Sequence, residues 1–195
     1  MTASLPRSAA MHLLDGGDGR HLFVANGFNT VYVLRLPDLA AAAADNRAAA
    51  EWALSVGGKV RLDKVSNPAL SDVKSLPAAP FILSGIDIPN CGDRVSDADL
   101  ARLEGLPELI DLHLRNAKVT DAGVVILAHC KRLNNLTLES PGVTDVGLAH
   151  LTGSDALVQL DLKGTKVTAA GVAKLAKALP KCKIAWDGGT IEPKP

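Results

Sequence analysis

The chain has 195 residues and a mass of 20.3 kDa, and its 21 basic and 21 acidic side chains give zero formal net charge. That length suits one domain, or one domain with an appendage, and surface scaling (roughly 9,000 Å² folded against about 29,000 Å² extended) allows a core without covalent staples. Hydrophobic residues at 47% and charged residues at 22% exclude wholesale disorder. Aromatics at 3%, with no net positive charge, argue against a nucleic-acid binder that works by stacking and phosphate neutralisation.

Cys91, Cys130 and Cys182 are odd in number, widely spaced and contain no CxxC pair. They predict inert buried thiols in a reducing compartment, not a disulfide framework or a zinc site. The opening residues Met1–Met11 hold no apolar stretch of signal-peptide length, and the run Ala40–Ala44 is far too short to span a bilayer. The expected setting is cytoplasmic, away from membranes.

In chain order, Asp18–Ala25 and Thr30–Leu36 read as two strands around an Asn26-Gly27 turn. This pair resembles the closing strands of a WD40-like propeller blade, which implies a blade remnant or a lone hairpin. Residues 1–40 are therefore expected to be a β-hairpin or partly disordered appendage, and the exposed edge of the Val31–Leu36 strand invites homo-oligomerisation. Domain 41–195 follows. Ala40–Ala44 reads as a linker or first turn, and residues 45–62 as a helix with an apolar stripe of Ala49, Trp52, Ala53 and Val56, stopped by Gly57-Gly58 and followed by a strand. Residues 63–82, with Pro68, Pro77 and Pro80, are expected to form an irregular unit in which Leu70-Ser71-Asp72 is a shortened strand-to-helix step.

From about residue 83 the sequence repeats. Leu109-Ile-Asp-Leu-His-Leu114, Leu133-Asn-Asn-Leu-Thr-Leu138 and Leu157-Val-Gln-Leu-Asp-Leu162 begin 24 residues apart. Val119-Thr-Asp-Ala-Gly-Val124, Val143-Thr-Asp-Val-Gly-Leu148 and Val167-Thr-Ala-Ala-Gly-Val172 follow at the same spacing. An earlier copy, Ile86-Asp-Ile88 with Val95-Ser-Asp-Ala-Asp-Leu100, carries two inserted residues, and Ile184-Ala-Trp186 is a partial last copy. Each LxL is predicted to be a short strand with both apolar side chains turned inward. Ser96, Thr120, Thr144 and Thr168 are predicted to cap helix N-termini, with Asp97, Asp121 and Asp145 in the positively polarised first turn. Gly123, Gly147 and Gly171 stand where a side chain would crowd the neighbouring unit. Asp99 takes that place in the first copy, where the unit is expected to bend differently.

The pattern LxxLxLxxxxVTDxGVxxL resembles the leucine-rich repeats of the ribonuclease-inhibitor-like and cysteine-containing type, as found in planctomycetes and other bacteria. The closing Leu179-Pro-Lys-Cys-Lys-Ile-Ala-Trp186 is similar to the ending of the bacterial versions. The resemblance covers roughly residues 83–187 and implies an α/β fold, a short right-handed solenoid or horseshoe of 24-residue period. It further implies an N-terminal helix cap at 45–62 and a C-terminal cap strand at 183–187. The sequence departs from the family where a cysteine or asparagine commonly follows the strand: Cys91 fits, whereas Ala117, Pro141 and Thr165 do not. No F-box-like segment lies upstream, so a ubiquitin-ligase role does not carry over.

Function is then expected on the concave strand face. Its columns are Asp87, His113, Thr137, Asp161 and Ala185; Pro89, Arg115, Glu139, Lys163 and Asp187; and Gly85, Asp111, Asn135, Gln159 and Lys183. A protein partner is expected at His113, Arg115, Thr137, Glu139, Asp161 and Lys163. The alternating signs of Arg115, Glu139, Lys163 and Asp187 offer the competing reading of a self-neutralised, idle face. No catalytic motif, metal-ligand spacing or cofactor loop is present: GxSxG, HExxH, the Walker loop and GxGxxG are absent, and Asp15–Gly19 lacks calcium-loop spacing. The expected protein is a non-catalytic interaction module without cofactor, or alternatively a structural spacer or remnant within a larger polypeptide.

Overall fold

A computed structural model describes residues 12–15, 21–25, 31–35, 37–62, 69–104 and 106–194. The chain divides into a unit Met1–Ala42 and a larger unit Ala43–Pro195. In the first, β1 (His12–Asp15), β2 (His21–Ala25) and β3 (Val31–Arg35) form an antiparallel sheet in the order β1-β2-β3. The β2–β3 pairing runs from His21 opposite Arg35 to Ala25 opposite Val31. β1 is a third strand outside the sequence reading, and among the described residues the sheet has three strands where a propeller blade has four, which corrects the WD40-like resemblance. The Asn26-Gly27 turn, Leu36 and the glycines between Asp15 and Arg20 lie outside the described residues.

Helix α1 covers Pro37–Ser55, so Ala40–Ala44 belongs to the helix and is no linker. Proline is well placed at a helix start because its missing N–H would be unpaired there anyway. The helix ends as Gly57 takes φ +84°, a left-handed conformation that glycine adopts without a Cβ clash. β4 (Lys59–Leu62) follows, its alternation burying Val60 and Leu62. Past residues 63–68, which lie outside the described residues, Leu70 bridges antiparallel to Val60, and Asp72 caps a 3-10 turn at Val73–Ser75 by accepting the Lys74 N–H at 2.9 Å.

The chain then lays down β5 (Leu83–Ile88), β6 (Gly92–Ser96), α2 (Asp97–Leu100) with a 3-10 turn at Ala101–Leu103, and β7 (Asp111–Leu114). β8 (Ala117–Lys118), α3 (Asp121–Leu127), β9 (Asn135–Leu138) and α4 (Asp145–His150) come next, with a 3-10 turn at Leu151–Gly153. β10 (Gln159–Asp161), α5 (Ala169–Ala178), β11 (Lys183–Trp186) and β12 (Gly189–Ile191) complete the chain. Seven strands form one sheet in the order β12-β11-β10-β9-β7-β5-β4. Its five central strands are parallel, with Gly85, Asp111, Asn135, Gln159 and Lys183 in register, and β4 and β12 join the two edges antiparallel. Ile86, Leu112, Leu136, Leu160 and Ile184 are buried, as are Ile88, Leu114, Leu138 and Leu162. They meet Leu100, Val124, Leu127, Leu148, Val172 and Leu175 from the helices in one core. Burial of each such side chain contributes about 1.5–3 kcal/mol against exposure.

The expected leucine-rich repeat solenoid is corrected by this topology. Residues 43–195 form an α/β domain with a mixed seven-stranded sheet and a two-stranded sheet, β6-β8, in place of a uniform 24-residue horseshoe. The helices that follow β5 range from the four residues of α2 to the ten of α5. The period fixes the spacing of the inward leucines but not the segments between them. After β7, the Ala117 N–H donates to Glu139 O at 3.1 Å, and the Cys91 N–H donates to Arg115 O at 2.8 Å. The corresponding residue after β9 is Pro141, which has no N–H. Pairing there falls to an isolated bridge between Thr120 and Gly142, and the small sheet stops at two strands.

A second polar ladder joins the helix starts. The Asp97 carboxylate accepts the Thr120 N–H and hydroxyl at 2.8 and 2.6 Å, and Asp145 does the same for Thr168 at 2.8 and 2.6 Å. Asp121 accepts from Thr144 N–H and hydroxyl at 2.8 and 2.7 Å, and from the Gly147 N–H at 2.9 Å. Each threonine oxygen in turn caps its own helix, accepting from Ala122, Val146 or Gly171 N–H. The recurring glycines make room for these carboxylates: a Cβ on Gly147 would lie 2.5 Å from Asp121 Oδ1, and one on Gly171 2.0 Å from Asp145 Oδ1.

Candidate functional site

Alternation along the parallel strands turns one set of side chains into the core and the other onto an open sheet face. On that face the His113 ring Nδ1 lies 2.8 Å from the Thr137 hydroxyl across β7 and β9, with Thr137 buried and His113 half-buried. Arg115, just past β7, donates to Asp87 of β5 at 3.1 Å and stands 3.8 Å from Glu139, which follows β9. Asp161 of β10 accepts the backbone N–H of Lys163 at 3.1 Å, and the Lys163 side chain is exposed. The predicted residues thus form a bonded pair, a carboxylate–arginine–carboxylate cluster and a more open corner at Asp161 and Lys163.

Two cations were missed by reading the columns alone. Arg61 of β4 pairs with Asp111, which also accepts from Asn135 Nδ2 at 2.5 Å. Gly85 lies beneath this contact, where a Cβ would sit 3.2 Å from Arg61 Cβ. Lys59 lies opposite Asp87 in the β4–β5 register. Both belong to an antiparallel strand, so no 24-residue spacing leads to them; the alternation in Lys59-Val-Arg-Leu62 was the available signal. At the other edge Lys183 pairs with Glu192 at 2.9 Å, just beyond β12.

Formal charge on the face is close to balanced: Lys59, Arg61, Arg115, Lys163 and Lys183 stand against Asp87, Asp111, Glu139, Asp161, Asp187 and Glu192. Exposed pairs of this kind contribute about 0–1 kcal/mol each, because water and salt screen them. A depression between β4, β5 and β7, lined by Arg61, Gly85, Asp87, Asp111 and His113, has a volume of about 20 Å³. That is room for about one water molecule. Among the described residues, no group of three or more His, Cys, Asp or Glu side chains could hold a metal ion. The arrangement can therefore recognise an extended polar surface through donors and acceptors displayed across several strands.

The three cysteines are buried and free. Burial is the main cause that pushes each thiol up to about 11. Cys91 donates to Ile88 O at 3.4 Å and Cys130 to Leu103 O at 3.6 Å. Trp52 is buried, and Trp186 packs half-buried against the core. No helix among the described residues is long and apolar enough to cross a membrane. The chain matches no protein-family model and no curated protein sequence, so the family resemblance drawn from the repeats has no support there. What the fold defines is an α/β domain with one sheet face left open and polar.

Proposed function

We propose that the open face of the seven-stranded sheet binds a protein partner and that the chain acts without catalysis or cofactor, in the cytoplasm. The observation that carries this reading is the exposed corner at Lys163, whose N–H donates to the half-buried Asp161. Charged groups aligned on rigid parallel strands can meet a partner at small entropic cost. Electrostatic complementarity of this type sets specificity and association rate more than affinity, so a modest, salt-sensitive complex is expected. Neither nucleic acid nor membrane fits the balanced charge and the scarcity of aromatics.

A second reading, a spacer within a larger polypeptide, draws support from the internal pairing of Arg115 with Asp87 and Glu139. The two separate in one experiment. Proteins captured by the full chain are identified, purified and titrated against the chain and against its Arg115→Ala/Glu139→Ala/Lys163→Ala variant, with circular dichroism checking the fold. The binding reading expects at least about a tenfold loss of affinity in the variant, a difference of about 1.4 kcal/mol. Equal affinity of both chains, or no purified protein that binds, overturns it in favour of the spacer.

A further inference from the structure

The zero net charge is unevenly placed along the Ala43–Pro195 unit. Residues 162–195 hold seven lysines, no arginine, and only the two carboxylates of Asp187 and Glu192. Several of these lysines meet where the last helix gives way to the last strands. Helix α5 ends at Ala178 with Leu179 as its cap, and Pro180, which has no N–H to continue it, leads the chain toward β11. The Lys194 N–H donates to Pro180 O at 2.8 Å, so the stretch past β12 is tied back against this turn.

Two depressions share Leu179, Pro180 and Cys182 in their walls. One, of about 70 Å³, adds Ala176 and Ile191, with Lys177, Lys194 and Glu192 around them. The other, of about 230 Å³, adds Leu157 and Ala178, with Lys181 and Asp155. Glu192 is already paired with Lys183 at 2.9 Å. Among the described residues, none of Lys177, Lys181 and Lys194 pairs with a carboxylate, and all three are exposed. Four lysines thus stand against two carboxylates around apolar walls. The negative pole of α5 accounts for Lys177, in its last turn, whereas Lys181 and Lys194 lie beyond the helix.

We propose that this end of the domain docks an acidic polypeptide segment. One aliphatic side chain of the segment enters the smaller depression against Leu179 and Ile191, and carboxylates flanking it pair with Lys177 and Lys194. Lys181 takes a further carboxylate over the second depression. The walls select a peptide over other polyanions. Nucleic acids are gripped by arginine forks and by base stacking on aromatic rings, and neither depression is lined by an arginine or an aromatic residue. A bilayer surface has no side chain to fill a concave apolar wall, and Asp155 and Glu192 repel anionic head groups. A peptide can place a neutral residue opposite each of them. Because the lysines are exposed, water and salt keep each pair modest, and the complex has a Kd on the order of 500 µM. The site shares no residue with the sheet-face corner at Asp161 and Lys163, so either stands without the other.

Chemical-shift mapping tests the proposal, with the isotope-labelled full chain titrated at low salt with the end-blocked peptide EEELEEE. The expected result is a saturable set of shifts centred on the amides of Lys177, Lys181, Ile191 and Lys194. The peptide EEEGEEE should bind at least about threefold more weakly, because it leaves the apolar wall uncovered. Lys177→Glu/Lys194→Glu should weaken EEELEEE at least about tenfold while circular dichroism stays native, since both side chains are exposed. No saturable shift up to about 5 mM peptide overturns the proposal, as do shifts centred on Arg115 and Lys163. Equal binding of EEEGEEE overturns it too, as does tighter binding of tripolyphosphate or of phosphatidylserine vesicles at the same amides, because the site then answers to negative charge alone.

Discussion

Replacing Asp121 with asparagine tests the ladder that joins the helix starts. The side chain keeps its size, but its charge goes, and one accepting oxygen becomes an N–H₂ group: in place of Oδ2 it faces the Thr144 hydroxyl, in place of Oδ1 the Thr144 and Gly147 N–H groups. In the native protein this carboxylate accepts three hydrogen bonds at 2.7–2.9 Å. Buried bonds to a charged group contribute about 1.5–3 kcal/mol each, but Asp121 is only half-buried and water replaces part of the loss. A total of about 2–3 kcal/mol follows, equivalent to a fall in Tm of roughly 5–10 °C for a chain of this size. Thermal unfolding followed by circular dichroism reads it, with exposed Asp155→Asn as the control. The pH dependence gives a second reading. Burial acts to raise the Asp121 pKa, but the Thr144 side-chain and backbone bonds and the Gly147 backbone bond outweigh it and hold the carboxyl below its ordinary value. A depressed folded pKa stabilises fully above the unfolded carboxylate pKa of about 3.9, and that stabilisation disappears as pH falls through the lower folded value. The gap between native chain and variant should therefore be constant near neutrality and narrow below about pH 4. A variant within about 0.5 kcal/mol of the native chain, or a gap unchanged at pH 3, would refute the reasoning.

Other outcomes follow from the same contacts. Gly147→Ala should destabilise by about 1–3 kcal/mol through overpacking against Asp121, and in an Asp121→Ala background the penalty should shrink by at least about 1 kcal/mol, as a double-mutant cycle on unfolding free energies would measure. Ser140 is fully buried and its Oγ has no hydrogen-bond partner. Ser140→Ala should leave denaturant stability unchanged or raise it by about 1 kcal/mol, because an unsatisfied hydroxyl is removed from the core. Since the thiols titrate near 11, roughly one in a thousand is ionised at pH 8; a thiol-disulfide reagent should label none of the three until denaturant unfolds the chain.

The inward leucines were legible because a two-residue alternation and a fixed spacing dictate which side chains can share a face. Leu112, Leu136 and Leu160 are in register as their spacing requires. The threonine caps were equally legible, since hydroxyl oxygens at those positions have free N–H groups within reach. Global architecture was not. The family resemblance rested on the periodic positions, whereas the fold also depends on edge strands that lack the period. β4 enters antiparallel through Val60 opposite Ile86, and β12 through Ile191 opposite Ile184. Pro141 acts through an absent N–H, which no hydrophobic pattern registers. On the sheet face, the column logic placed His113 beside Thr137 and Arg115 beside Glu139 correctly, yet Arg115 lies closer to Asp87, and Asp111 takes Arg61 from outside the columns. Long, flexible arginine side chains choose partners by local geometry, so spacing alone ranks them poorly.

Asp99 is the position where following the repeat would mislead a protein engineer. Gly123, Gly147 and Gly171 occupy the matching place in the later units, and a consensus argument would replace Asp99 with glycine to gain stability. The ladder argues the reverse. Thr120, Thr144 and Thr168 receive a carboxylate from the preceding unit, and glycine leaves space for it. In the segment between β4 and β5 the described residues hold the 3-10 turn Val73–Ser75 in place of a repeat helix, and the Ser96 N–H and hydroxyl bond to Asp99 of the same unit, at 3.0 and 2.9 Å. Asp99 thus supplies from within α2 the acceptor that later units import. Asp99→Gly should remove both bonds and add the helix penalty of glycine, about 2 kcal/mol together, with a fall in Tm of roughly 4–8 °C. Asp99→Asn, which can still accept from the Ser96 N–H, should lose less than half of that. If Asp99→Gly proves as stable as the native chain, the carboxylate is not what holds the first helix start, and the ladder cannot be the reason that glycine recurs in the units after it.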